Sequence, residues 1–505
     1  MSEIKYDITI ATTNRTLVDG QNFAFTPGKI TFLLGESGIG KTLLSKAFFG
    51  ILDEEGLTIT INRQAYQDYV KSRPIMSMRQ NGFFVFQEPS THLNPLLTLK
   101  QQLNEGTLAK LSDDDGILDD LWHKTGREVV QKILNLYPKP YRPSGGEKQR
   151  ILLAMAFKKM ALLRQKRRQS KRALFVFDEP TGNLDDAYRN RFLDILFEQY
   201  RQLGFTILLI THDYSMISEI YRRHKNIINR IEFKELTRIN GAAVHMQPFS
   251  AERYLSWLRE QHPPAALHKK QTSRASVLQI KQSFSVYDRR FSFYSTAKSN
   301  KPVELCIQKG EMVYLKAPSG GGKTTLAKIV MGLQPAQNIR FNLAGLTLTE
   351  KSKGGIWPKY IWGKKAVMAF QHADEALNPQ ATVWENFRGL PATTSLTKKT
   401  FKKHLNAVFD KNIDERFMDN KAGLLSGGQK QRINLLRALL LNTDLVILDE
   451  PLNGLDFNSI RKVLSIIHQK QKQGQSFLII SHNEEIFDHF VPRTHIYYLR
   501  HAVKQ

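Results

Sequence analysis

Residues 35–42 read GESGIGKT. Glycine, four residues, then Gly-Lys-Thr is the phosphate-loop pattern. Gly35, Ser37, Gly38 and Gly40 let backbone N–H groups turn toward phosphate oxygens, and the following helix adds partial positive charge at its start. Lys41 reaches the terminal phosphates, and the Thr42 hydroxyl can ligate Mg²⁺. The run ITFLLG (30–35) precedes the loop and LLSKAFFGIL follows it, so the loop joins a strand to a helix. A second stretch, APSGGGKT (317–324), changes the first glycine to Ala317. Ser319, Gly320, Gly322, Lys323, Thr324 and Thr325 supply the same phosphate-binding groups. An alanine at the loop entry can keep negative φ, so phosphate binding is expected to survive.

Two acids close an apolar run downstream of each loop, in LFVFDEP and LVILDEP. Asp178 and Asp449 are placed to hold Mg²⁺ through water, and Glu179 and Glu450 to polarise an attacking water. Alternation along a strand points neighbouring side chains to opposite faces, which separates the two tasks. His212 and His482 close the next apolar runs, 33 and 32 residues behind the glutamates. Either can sense a γ-phosphate. Gln87 and Gln371 end shorter runs, where an amide can ligate Mg²⁺ and touch the water.

These residues recur because the chain is duplicated. ITFLLG, FFVFQ, LFVFDE and TILLITH in the first half answer, in order, to MVYLKA, VMAFQ, LVILDE and SFLIISH in the second. Short, continuously apolar, β-branched and aromatic runs are the mark of parallel strands buried on both faces. Ligands of such α/β sheets bind at the strands' carboxyl ends, where the chemistry-bearing residues fall. Two α/β domains are expected, at 1–260 and 277–505. A Pro-Pro-bearing, basic linker at 261–276 joins them, with the boundary near residue 268. The first half carries extra residues, KKMALLRQKRRQSKR (158–172), read as a solvated basic insert. The net charge of +26 raises the prior for a polyanionic partner. Cys306 is the single cysteine, so neither a disulfide framework nor a cysteine-based metal site is possible within the chain. No signal peptide and no run of about 18 apolar residues is seen. The expected location is cytosolic, or bound to a membrane from its cytosolic side.

Phosphate loop, strand-end Gln, an SGG phrase (RPSGGEKQR at 142–150, LLSGGQKQR at 424–432), DEP acids and then His, in that order and twice over, resemble the ATP-binding-cassette (ABC) ATPases. The resemblance covers nearly the whole chain. It implies two tandem P-loop ABC domains, each a RecA-like core with a helical subdomain and an antiparallel β subdomain. It identifies Ser144, Gly145 and Gly146, and Ser426, Gly427 and Gly428, as signature residues that cover the ATP held by the other cassette. Two ATP molecules are then sandwiched between the halves. One joins Lys41, Gln87, Asp178, Glu179 and His212 to Ser426 and Gly428. The other joins Lys323, Gln371, Asp449, Glu450 and His482 to Ser144 and Gly146. Asp185 and Asp456 resemble the loop connecting the two sites, and Tyr294 the aromatic that stacks on adenine. Thr12 stands at the matching place in the first half. Both sites keep their catalytic groups, so both are expected to hydrolyse ATP.

QEPSTHLNP (87–95) and QHADEALNP (371–379) resemble the dipeptide, oligopeptide and nickel importer group, although His372-Ala373 departs from its acid-proline step. That resemblance implies an ATPase energising import of peptides or related small solutes. Its partners are two integral membrane permease subunits and a separate solute-binding protein. It sits peripherally on the cytoplasmic side of the inner membrane, and no nucleic acid is expected. The rival is a soluble ABC-type translation factor acting on ribosomes; those factors usually carry a long charged helical linker, which this chain lacks. The transported substrate is not legible.

Overall fold

The computed structural model describes residues 3–104, 114–122, 127–135, 143–165, 173–182, 186–261, 275–281, 283–318, 320–391, 396–409, 413 and 415–503. The chain divides into two compact units, Met1–Glu252 and Arg253–Gln505.

In the first unit a ten-stranded sheet holds five parallel strands side by side: Phe83–Val85, Leu174–Asp178, Thr206–Ile210, Ile30–Leu34 and Ile231–Asn240. The three central strands are buried at every residue. Their side chains alternate between two cores. Phe32, Phe175, Phe177, Ile207 and Leu209 face one; Leu33, Leu174, Val176, Leu208 and Ile210 face the other. That two-sided burial is why the runs are apolar without a break. Each large side chain so buried contributes about 1.5–3 kcal/mol. Beyond Ile231–Asn240 the sheet turns largely antiparallel, through Ala243–Pro248, Thr16–Phe25, Ile4–Ala11 and Thr58–Ile61.

The second unit repeats the parallel order with Ala366–Ala369, Leu445–Asp449, Ser476–Ile480, Met312–Lys316 and Ile496–Val503. Arg289–Tyr294 and Phe284–Val286 extend it antiparallel. Its remaining strands form a separate four-stranded antiparallel sheet, in the order Leu305–Gln308, Ser276–Ile280, Arg340–Leu343, Leu346–Thr349. One unit thus fuses what the other splits.

Each unit also carries a helical layer. In the first, the signature helix Gly145–Gln165 packs with Asp114–Leu121 and buries Trp122. In the second, Gly427–Leu440 packs over Phe387, Phe401, Leu405 and Met418. The basic insert departs from the solvated expectation over its described part. Lys158 is 1% exposed and donates to the carbonyl of Leu103 (3.1 Å) and to Asn104 Oδ1 (2.8 Å); Lys159 is also buried. A lysine with hydrogen-bond acceptors can be buried with its charge satisfied. Residues 166–172 lie outside the described residues.

Candidate functional site

In each unit the phosphate-loop strand lies beside the histidine strand, which lies beside the acid strand. Their carboxyl ends therefore gather the loop, the acids and the histidine within one unit.

The loop geometry rests on left-handed glycines. Gly35, Gly38 and Gly40 have φ of 136°, 76° and 112°; Gly320 and Gly322 have 70° and 88°. A Cβ at Gly35 would stand 2.7 Å from the carbonyl oxygen of Leu236, so only glycine fits there. Ala317 occupies the matching position without a positive φ, so the second loop is entered by a different backbone path. Both lysines are buried and bridge back to the loop. Lys41 Nζ donates to the carbonyls of Gly35 (2.6 Å) and Glu36 (2.9 Å), and Lys323 Nζ to those of Ala317 (2.5 Å) and Pro318 (3.4 Å). Burial lowers the Lys41 ammonium; Glu179 and Asp178 oppose that. Ser37 and Gly38 are exposed at the loop's tip, Thr42, Thr324 and Thr325 half-buried at its helix start. Ser319 lies outside the described residues.

Asp178 and Asp449 are fully buried, at 0% and 1% exposure, and none of their four oxygens accepts a formed hydrogen bond. Burial pushes Asp178 up to about 6, against the opposing Thr42 hydroxyl. Burial also raises Asp449, opposed by Thr324 and Lys323. Buried oxygens of this kind need a partner, and an oxygen set beside a threonine hydroxyl fits a hard cation such as Mg²⁺.

Each following glutamate has a left-handed backbone, φ 47° at Glu179 and 51° at Glu450. The extended strand conformation therefore ends at each glutamate, so simple strand alternation does not describe the acid pair. A non-glycine residue held so costs of order 1–3 kcal/mol. The Glu179 carboxylate meets His212 Nδ1 at 2.7 Å. Burial would lower the His212 imidazole, but the charge and hydrogen bond of Glu179 outweigh it and raise the net value. In the second unit the Glu450 carboxylate instead accepts from the Ser481 hydroxyl (3.1 Å) and the His482 backbone N–H (2.9 Å). The His482 ring stands 3.6 Å from Glu450 and is half exposed. Burial pushes Glu450 up to about 7.

The signature serines cap their own helices. Ser426 Oγ accepts from the Gln429 N–H (3.3 Å) while Gln429 Oε1 accepts from the Ser426 N–H (3.0 Å); Ser144 and Glu147 repeat the box at 3.2 and 2.6 Å. Ser144, Gly145 and Gly427 are exposed, Ser426 and Gly146 half-buried and Gly428 buried. No hydrogen bond among the described residues joins a signature to the phosphate loop of its own unit. Gln87 is exposed and Gln371 half-buried. Tyr294 lies with the Arg500 guanidinium 3.8 Å over its ring. Asp456 caps the helix Phe457–Lys472 through Ser459; Asp185 lies outside the described residues.

Three further contacts escaped sequence reasoning. Lys148 on the first signature helix donates to Ser90 Oγ (3.0 Å), and Lys430 on the second to Asp374 (2.8 Å). Each ties a signature helix to the segment after the strand-end Gln. The recurrence of Lys in EKQR and QKQR was the available signal. Gln431 Nε2 donates to the Glu450 carbonyl (3.2 Å). Beside the Gln371 segment, a groove of about 490 Å³ is lined by Met331, Leu333, Trp362, Phe370, Ala376 and Arg437, among others.

The ABC transporter family matches residues 18–182 and 300–453, more than half of the chain. The chain belongs to the ABC transporter family. It is an ATPase with two copies of the ABC domain, and it binds nucleotide as that domain does. Across 492 residues it is 26% identical to the uncharacterized ABC transporter ATP-binding protein YejF of Escherichia coli (strain K12), covering 93% of this chain and 88% of YejF. It is 22% identical to the glutathione import ATP-binding protein GsiA of the same organism, covering 96% and 82%. In fold it is similar to RNase-L Inhibitor, with a TM-score of 0.61 at 16% identity, covering 97% and 89%. No helix among the described residues is long and apolar enough to cross a membrane.

Proposed function

We propose that this ABC ATPase energises an importer for peptides or related small solutes, with two ATP molecules bound between its two cassettes. Its likeness along nearly the full length of YejF and GsiA, one named for glutathione import, carries the reading. Two permease subunits and a separate solute-binding protein are its partners, at the cytoplasmic face of the cell membrane.

At each site Lys41 or Lys323 leaves the loop carbonyls for the terminal phosphates. Thr42, Gln87 and Asp178, with Thr324, Gln371 and Asp449 in the second unit, would hold Mg²⁺. That ion, when bound, offsets the charge on the transferring phosphoryl group. Glu179 and Glu450 orient and polarise the attacking water; His212 and His482 stand beside them toward the γ-phosphate. The signature ends, Ser144 to Gly146 and Ser426 to Gly428, would close the opposite sites with helix-start N–H groups. Lys148–Ser90 and Lys430–Asp374 would carry that closure to the Gln segments and so to the permeases.

Copurification is the test. Two integral membrane subunits should accompany the tagged protein from solubilised membranes; ribosomes in their place would establish the translation-factor reading.

A further inference from the structure

We propose that residues 351–364 of the second unit rest on an anionic lipid surface. This stretch, KSKGGIWPKYIWGK, holds four lysines and no acid. Lys351, Lys353, Lys359 and Lys364 are all exposed. No ion pair engages any of them among the described residues. Lys359 lies 5.1 Å from the centre of the Tyr360 ring, and Lys364 donates to the Lys359 carbonyl (2.7 Å).

Of the three aromatics in the stretch, Trp357 is buried while Tyr360 and Trp362 are exposed. A π-helical turn, Trp357–Ile361, separates two tryptophans. The Trp357 indole N–H donates to the Val330 carbonyl (3.1 Å) and that of Trp362 to the Met331 carbonyl (2.9 Å). With its polar atom tied inward, Trp362 still stands 40% exposed, beside Tyr360 at 47%. Leu333, 45% exposed, lines the same groove as Trp362. Three of the nine exposed large apolar side chains among the described residues thus fall in or beside one basic strap.

The fold does not demand this. At the matching place the first unit forms helices Tyr66–Lys71 and Arg73–Asn81, and its aromatics Tyr66 and Tyr69 are 3% and 6% exposed. A merely solvated face has lysines but no reason to expose tryptophan. Tryptophan and tyrosine favour the level of lipid headgroups, lysine stems lie along apolar surface with the charge at the interface, and anionic headgroups attract lysine. Single-stranded nucleic acid would attract the same lysines and stack on Tyr360 and Trp362; the apolar Leu333 beside them favours a lipid surface, and the RNA measurement below separates the two. The inference deepens the membrane-side reading above, yet its test needs no permease.

The full chain is sedimented with sucrose-loaded vesicles of phosphatidylcholine alone or mixed with phosphatidylglycerol. One variant is Lys351→Glu/Lys353→Glu/Lys359→Glu. A charge-matched control elsewhere in the unit is Lys398→Glu/Lys399→Glu/Lys403→Glu. Each lysine at an anionic leaflet is worth about fivefold. The strap variant should therefore lose at least tenfold in partitioning onto phosphatidylglycerol vesicles, and the control far less. Tyr360→Ala should lose a few-fold with no change of charge, and ATP turnover should persist in every variant. The proposal is overturned if the parent chain ignores anionic vesicles, or if the control falls as far as the strap variant. It is equally overturned if the strap variant loses affinity for single-stranded RNA while keeping that for vesicles. Vesicle binding intact in a chain that captures no permeases would sink the importer reading and leave the strap standing.

Discussion

Glu179 and Glu450 stand at the same turn of the same fold with the same left-handed backbone, but different groups hold them. His212 grips the first carboxylate through its ring at 2.7 Å. The second is gripped by the Ser481 hydroxyl and a backbone N–H, and leaves the His482 ring half exposed. The two halves keep the carboxylate proposed to polarise the attacking water, and the groups that hold it differ. An orienting group needs only a donor in reach, so a neighbouring hydroxyl can take over from an imidazole; no neighbour can replace the carboxylate itself.

The largest effects should show where the units agree. Glu179→Gln combined with Glu450→Gln should lower ATP turnover at least about a hundredfold, the lower bound for losing a general base, while ATP binding measured by fluorescence titration is kept. Either change alone should remove at least half of the rate. An unchanged rate in one single variant would show that its site does not turn over. The next effects should show where the units differ. His212→Ala takes away the side-chain partner of Glu179, whereas His482→Ala leaves both of Glu450's hydrogen bonds in place. Measured with the other site disabled by Glu→Gln, His212→Ala should cost about tenfold more in kcat than His482→Ala. Ser481→Ala should lower second-site turnover by a few-fold, the loss of one modest hydrogen bond.

The strands, the loops and the strand-end acids were legible because burial on both faces writes an unbroken apolar run, and because a phosphate cradle needs glycines at fixed spacing. Three features had no such signature. The left-handed glutamates follow aspartates in an ordinary-looking DEP, and nothing in those letters announces a positive φ. The single sheet of the first unit and the two sheets of the second depend on edge pairing between strands distant in sequence, such as Ala243–Pro248 with Thr16–Phe25. Lys158 reads in the sequence like any other lysine of a basic run, and its burial depends on acceptors distant in sequence such as the carbonyl of Leu103 and the amide oxygen of Asn104.

A buried glutamine sharpens the comparison further. Gln431 donates to the Glu450 carbonyl. Gln149, at the matching place in EKQR, is 1% exposed with both amide atoms lacking a hydrogen bond among the described residues. An unsatisfied buried amide costs about 1–3 kcal/mol. Gln149→Met should therefore be neutral or stabilising by about 1 kcal/mol, and Gln431→Met destabilising by a similar amount. Urea unfolding of each variant reads the difference; equal losses would mean that Gln149 is satisfied after all.

The smallest expected effect separates the units by acid. Asp213 follows His212, and its counterpart after His482 is Asn483. Burial alone would raise the Asp213 carboxyl, but Arg189 at 3.2 Å, with the hydroxyl and backbone N–H of Ser215, outweighs it and holds the value below the ordinary range. A folded-state value below the unfolded one stabilises the fold above the unfolded pKa, near 4, and that stability is lost as pH falls through the folded value. Asn483 does not titrate, so the second unit lacks this contribution at any pH. Asp213→Asn should therefore lower the unfolding midpoint of the chain at neutral pH, and the gap to the parent protein should narrow below about pH 4. A gap that stayed constant into acid would mean that the Arg189–Asp213 pair contributes shape alone.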